Sequence, residues 1–576
     1  MTQDSNVQPN GGAPSSGLGS RLHQIFPRLS AEEIARVRRF GTPRHWAAGE
    51  TLLDTGRPGP GMILVLSGAV SISRCDGLGR CLRVAQYHTG EFAGDVGQLS
   101  GQHSLVNAVA LEPVDALVFP PEQLRALINS EAELGERILR ALILRRVSAI
   151  EVGVGVVLIG QGQDARLHDL CGFLTRNAHP YRVLDVASDS EARMLVEQFS
   201  ATPDDLPLAV CADGNVLRRP SGAQLAAALG FLQAVDPSNV YDVAIVGAGP
   251  AGLAAAVYAA SEGLSVVVLD CRAPGGQAGA SARIENYLGF PTGISGHALA
   301  GRAFTQANKF GAHIAIPLDV VALHCGEQPY RLETRCGGSV PARTVVIASG
   351  AVYRRPAIAG LDAFEGRGVY YWASPLEARR CKRAEVALVG GGNSAGQAIV
   401  FLAGHAAHVH VLIRKDSFET TMSRYLIDRI AGLPNVTVHP HTEVERLDGD
   451  AGGLASVVLK TPIEDGAARL DVRHLFLFTG AEPNTDWLRT CNVELDAHGF
   501  VLTGAAVPSS ERRAVDATAA NLMTSVGGVF AVGDARAGSM KRVATAVGEG
   551  AAVVAQIHEL LAGIGADPLG PGMRAC

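Results

Sequence analysis

Two copies of one short pattern constrain this chain more than any other feature. The first is YDVAIVGAGPAGLAAAVYAASEGLSVVVLD, residues 241–270. An apolar run enters Gly247-x-Gly249-x-x-Gly252, small helix-forming residues follow, and a second apolar run ends in Asp270. The spacing predicts strand, glycine turn, helix and parallel strand. Gly247 permits the turn, Gly249 lets a pyrophosphate reach the backbone, and Gly252 lets the helix close on the sheet. The helix N-terminus then faces phosphate, and Asp270 is placed to accept a ribose hydroxyl. The second copy, residues 384–416, carries Gly390-x-Gly392-x-x-Ala395, with Asn393 and Ser394 inside it. Its second strand ends in Arg414-Lys415. Positive charge there suits a ribose 2′-phosphate and so favours NADP, a solvated basic strand end being the plain alternative. Two such units, with glycines 143 residues apart, predict two Rossmann-like domains and two dinucleotides, a flavin and a nicotinamide exchanging hydride.

The rest of the 576 residues must form further domains, since roughly 150 residues make one. With 47% hydrophobic and 18% charged residues, a mainly disordered chain is excluded. A net charge of −6 gives no electrostatic ground for nucleic acid as partner. No apolar stretch reaches the 18 or more residues of a membrane span. Residues 1–21 are polar and rich in Gly, Ser and Pro, a flexible tail without the pattern of a secretion signal. Ten cysteines without a CxxC suit a reducing cytoplasm and argue against a zinc ribbon or disulfide framework. Short β-rich segments and then a helical run over 22–150 predict a β-barrel or jelly roll capped by helices. Residues 153–235 alternate strand and helix three times, the pattern of one small α/β domain.

From residue 241 to 563 the chain resembles the low-molecular-weight thioredoxin reductase family. GAGPAGLAAAVYAA, GGQ (Gly275–Gln277), IENYLGFP (Ile284–Pro291), IASG (Ile347–Gly350), GGGNSA, FTGAEPNT, VFAVGDAR and KRVATAVGEG occur in the family's order. The resemblance implies an FAD domain in two parts, 240–357 and 476–563, an inserted NAD(P)H domain at 358–475, a tail at 564–576, and a homodimer. Gly276, Gln277, Asn286 and Asp534 carry over as FAD contacts. Val543 stands in the segment that covers the isoalloxazine, where the family usually has Ala. The family's redox dithiol, a CxxC before the second fingerprint, does not carry over. Its positions hold Trp372 and Pro375, neither of which forms a thiolate, and the nearby Cys381 is single.

Residues 156–231 resemble a thioredoxin or glutaredoxin fold, with Pro207 expected cis before the third strand. That stretch lacks the active-site CxxC; Cys171 and Cys211 are either a relay pair or buried hydrophobe-like residues. Residues 41–151 resemble the cyclic-nucleotide-binding domain family. That family's cassette supplies a Glu for the ribose and an Arg for the cyclic phosphate. Asp95 stands for the Glu, but His103 and Ser104 occupy the place of the Arg. An unpaired buried phosphate is costly, so a cyclic nucleotide is not expected. His405, His408 and His410 straddle a helix end and a strand, which fits capping better than a metal. Arg424 and Arg429 either assist the NADP phosphate or pair with nearby acids. Cys576 ends a Gly/Pro-rich tail.

The expected activity is an FAD-dependent NADPH oxidoreductase passing electrons to a ferredoxin-type protein, a quinone or an exposed disulfide. Two alternatives stand beside it. One is a thioredoxin-disulfide reductase using Cys171, Cys576 or a partner chain's cysteines; the other is a redox sensor gated by a ligand of the barrel.

Overall fold

The computed structural model describes residues 21–153, 155–162, 164–231, 235–450, 452–460, 468–508 and 521–565. The chain separates into two compact units, residues 1–161 with 178–231, and residues 162–177 with 232–576.

The first unit opens with two four-stranded antiparallel sheets. Their strands alternate as a half-buried surface requires: Val70–Cys75 buries Val70, Ile72 and Arg74 and leaves Ser71 and Ser73 partly exposed. Trp46 lies in the core between the sheets, and Phe92 and Phe119 pack against the helices on the other face. The helices Pro121–Ser130 and Ala132–Val152 close it, and Gly153 ends the second in the left-handed conformation at φ 67°. A third sheet follows in the order Tyr181–Asp185, Val156–Gly160, Leu208–Val210, Val216–Arg218, parallel in its first pair and antiparallel after it. The Leu206–Pro207 bond is cis, as expected. The edge strand Val216–Arg218, three residues long, was too short for its pattern to be read.

The second unit is built on a seven-stranded sheet with Tyr241–Val246 between Val266–Leu269 and Ser339–Ile347. Val529–Ala531, nearly two hundred residues later, pairs parallel with Ser339–Ile347, so the chain returns to the sheet it left. In between lies an all-parallel five-stranded sheet, Val369–Tyr370, Leu475–Leu477, Glu385–Val389, His408–Leu412, Val436–His439. Leu475–Leu477 belongs to this inserted sheet, so a boundary at 475 cuts through a strand. The two crossings between the sheets, Ala351–Tyr353 and Ala481–Pro483, pair with each other antiparallel. The helix Ala165–Arg176, expected within the small α/β domain, groups with this second unit. Arg380 donates to Gly162 O at 2.9 Å, and Asn177 donates to Arg272 O at 3.2 Å.

The expectation of unpaired cysteines fails at four positions. Cys75 pairs with Cys81 across a hairpin, and Cys325 with Cys491 beside the larger sheet. Strand pairing sets Cys75 opposite Cys81, a cross-strand neighbourhood that cysteine spacing alone does not disclose.

Candidate functional site

The first fingerprint folds as strand Tyr241–Val246, turn, helix Pro250–Ser261. Each glycine answers a different steric demand. Gly247 sits at φ 109°, and a Cβ there would lie 2.2 Å from Ala348 O. At Gly252 it would lie 1.9 Å from Gly247 O, so only glycine lets the helix approach the turn. At Gly249 it would meet nothing within 4 Å. The backbone there opens onto free space at a helix start, a cradle that a side chain would fill and that fits a pyrophosphate.

Other motifs converge on the same turn. A Cβ at Gly276 would lie 3.1 Å from Gly249 Cα, and one at Gly533 would lie 2.9 Å from Ala251 Cβ. The Gly275–Gln277 and Gly533–Asp534 segments therefore flank the cradle. Gln277 Nε2 donates to Ala351 O, which orients its amide toward the crossing strand. Asp270 accepts from the backbone N–H groups of Ala248 (2.8 Å), Arg272 (2.8 Å) and Ala273 (3.2 Å). Burial pushes its pKa up, against the pull of those three donors. A carboxylate offers about four acceptor positions, so one remains for a ribose. Asp534 is likewise pushed up, first by burial, with Lys541 pulling down and Glu549 pushing further. Asn286 is exposed, and Val543 opens the long helix Val543–Gly565.

Glu549 went unrecognised in the sequence. It accepts from Gly533 N at 2.6 Å and from Arg536 Nη2 at 2.5 Å, fixing the Gly533–Asp534 turn against the last helix. Its signal is an acid one turn and a half into the KRVATAVGEG helix.

The second fingerprint repeats the geometry. Gly390 has φ 141° with Phe478 O at 2.6 Å from its Cβ position, Gly392 again faces open space, and Ala395 is buried. Asn393 Oδ1 accepts from Ser423 N at 2.7 Å, and Ser394 is exposed on the first turn. Arg414 and Lys415 are both exposed at the strand end. Lys415 Nζ reaches Thr420 Oγ1 at 3.2 Å, and among the described residues Arg414 has no ion pair. The cradle and the two cations fit a phosphorylated dinucleotide. Arg424 and Arg429 pair with acids instead, Asp428 at 2.8 Å and Glu285 at 2.7 Å.

Where a dithiol would stand there is a closed hydrogen-bonded turn. Trp372 Nε1 donates to Glu377 Oε1 at 3.1 Å, and Ser374 N donates to Glu377 Oε2 at 2.9 Å. Arg176 lies over the Trp372 ring at 5.8 Å, and Pro375 is exposed. The Cys381 thiol is fully buried, and burial pushes it up to about 12. Cys211 is likewise held at about 12, and Cys171 is buried. Cys576 lies outside the described residues. His405 Nδ1 donates to Phe401 O at 2.9 Å at the helix end, while His408 meets Thr437 at 2.8 Å and His410 meets Glu385 at 3.2 Å. Among the described residues no three such side chains converge as metal ligands.

In the first unit, the residues at the cyclic-nucleotide positions are already engaged. Asp95 accepts from Arg146 at 3.2 Å and Gly97 N at 2.8 Å. Ser104 Oγ donates to Val106 O at 2.7 Å, and the His103 ring lies against Gly230.

A family profile for pyridine nucleotide-disulphide oxidoreductase matches residues 241–550, and one for the cyclic nucleotide-binding domain matches residues 43–131. The chain is 31% identical over 327 residues to a thioredoxin reductase of Mycoplasma pneumoniae, 56% of this chain and 96% of that protein. It is 33% identical over 321 residues to NADPH-dependent thioredoxin reductase 3 of Arabidopsis thaliana, spanning 54% of this chain and just over half, 56%, of that relative. Among solved structures, Lactococcus lactis thioredoxin reductase matches with a TM-score of 0.51 at 25% identity, covering 56% of this chain and 99% of that one.

Proposed function

The chain belongs to the pyridine nucleotide-disulphide oxidoreductase family, in its thioredoxin reductase group, and from that premise we propose that it carries electrons from NADPH through FAD to an acceptor other than an internal dithiol. The observation that carries the proposal is the Trp372–Glu377 bond at the dithiol positions, with the neighbouring Cys381 thiol buried. When bound, the two cofactors supply hydride transfer from nicotinamide to flavin and onward electron delivery. The protein's own part is placement. Gly249 exposes backbone to the flavin's pyrophosphate, Gly247, Gly252 and Gly276 shape the turn around it, and Asp270 takes its ribose. Gln277, Asn286, Asp534 and Val543 border the remainder. Gly390, Gly392, Asn393, Ser394 and Ala395 form the corresponding cradle for the nicotinamide dinucleotide, with Arg414 and Lys415 beside its 2′-phosphate.

We take residues 240–357 with 478–563 as the FAD domain, 358–477 as the NADPH domain, 22–150 as the barrel and 153–235 as a thioredoxin-like module. The acceptor is a ferredoxin-type protein, a quinone or an exposed disulfide, the working form is a homodimer, the location is cytoplasmic, and the barrel does not take a cyclic nucleotide. No helix among the described residues is long and apolar enough to cross a membrane. The test is steady-state NADPH oxidation with ferredoxin, a quinone or thioredoxin as acceptor. Turnover with ferredoxin or quinone is expected. Turnover with thioredoxin that thiol alkylation abolishes would overturn the proposal in favour of a disulfide reductase.

A further inference from the structure

The FAD and NADPH domains of the second unit are joined along the chain through the crossings Ala351–Tyr353 and Ala481–Pro483, a ladder three residues long. So narrow a join is a hinge, and by itself it leaves the angle between the two sheets loosely fixed. A further element spans it. The helix Ala165–Arg176 comes from upstream of both domains, yet residues 162–177 pack within this unit.

The start of that helix lies on the NADPH domain. Arg380 donates to Gly162 O at 2.9 Å, and a Cβ at Gly366 would stand 3.0 Å from Ala165 Cβ. Its end touches both domains. The Arg176 guanidinium lies 5.8 Å from the centre of the Trp372 ring, on the NADPH side. Asn177, which caps the helix, donates to Arg272 O at 3.2 Å, on the FAD side and just past Asp270. Arg176 is drawn to Glu377, Asp169 and Asp270 and repelled by Arg272, while Asp169 is drawn to Arg272. Acids and bases from the helix and both domains therefore meet at one seam. A separate tie between the domains, the Glu285–Arg429 pair, is partly exposed at both ends and holds weakly.

Hydride passes only when nicotinamide and flavin come within about 3.5 Å, so the angle across the hinge governs the rate. On the activity proposed above, no dithiol competes for the flavin, and one angle is enough. We propose that the helix Ala165–Arg176 is an interdomain brace that keeps the NADPH domain at the angle from which hydride is delivered. The link to hydride rests on that proposed activity; the brace itself rests on the contacts.

The experiment compares the full FAD-loaded protein with the double variant Asn177→Ala/Arg380→Ala, which frees both ends of the helix. Hydrogen exchange in the two hinge strands should quicken about fivefold or more, with the helix Pro250–Ser261 unchanged. Anaerobic reduction of the flavin by saturating NADPH should slow about threefold or more. Reduction by dithionite, which needs no NADPH domain, should keep its rate. Arg380→Lys, which retains a donor for Gly162 O, should fall between parent and double variant, and unchanged flavin absorbance shows that the variants are folded. The proposal is overturned if hinge exchange is unaltered, if NADPH reduces the variant as fast as the parent or faster, or if dithionite slows equally. A parent that NADPH does not reduce would sink the proposed activity, and the exchange result alone would then decide the brace.

Discussion

At the residue scale, the three glycines of the first turn make separable predictions. Gly252→Ala forces a Cβ to within 1.9 Å of Gly247 O and should destabilise the second unit by about 1–3 kcal/mol, read by chemical unfolding. Gly249→Ala meets no protein atom and should leave stability unchanged. It should nevertheless weaken FAD binding at least tenfold, roughly 1.4 kcal/mol, because the methyl occupies the cradle. Equal effects of the two substitutions would show that Gly249 faces protein rather than ligand. Arg414 and Lys415 carry a second prediction. Replacing both by Ala should raise the KM for NADPH about tenfold and leave that for NADH within about twofold. These positions were legible in the sequence because backbone geometry, not packing, dictates them. Glu549 was not, since an acid on an amphipathic helix has no special spacing until Gly533 is brought to it. Arg74 was equally silent: in VSISRC it reads as one polar residue of a strand, and only the register turns it inward.

At the element scale, periodicity disclosed the strands and helices of the barrel, the small α/β domain and both fingerprints, but not the helix Gly296–Lys309 or the strands Glu443–Asp450 and Gly453–Lys460. The barrel, the capping helix and both Rossmann-like units follow their apolar patterns. Three-residue strands such as Val216–Arg218 did not show, because alternation needs more positions than that to be seen. Long-range consequences were also hidden. The antiparallel pairing of Ala351–Tyr353 with Ala481–Pro483 depends on two segments well over a hundred residues apart. So does the Cys325–Cys491 bond. In the His405, His408, His410 group, the turn from helix to strand sets His405 apart, while His408 and His410 stay together on the strand with ring centres 4.7 Å apart.

At the scale of the whole molecule, stability and chemistry can be examined separately. His179 is buried in the first unit, and burial together with Arg146 holds its pKa down at about 3, against 6.5 when unfolded. Between those values the unfolded chain binds a proton that the folded chain does not. Stability must therefore fall as pH drops below about 6.5, and by pH 5 the loss amounts to about 2 kcal/mol. The melting temperature should decline from pH 7 to pH 5, and His179→Leu should flatten that decline. A slope unchanged by the substitution would place the acid sensitivity elsewhere.

The claim on which the functional account rests is that no dithiol shares electrons with the flavin. An anaerobic titration of the purified protein with NADPH, followed by flavin absorbance, tests it directly. The account predicts complete bleaching at one equivalent of NADPH per FAD. Two equivalents would contradict it, and would mean that a disulfide in this chain takes a second electron pair.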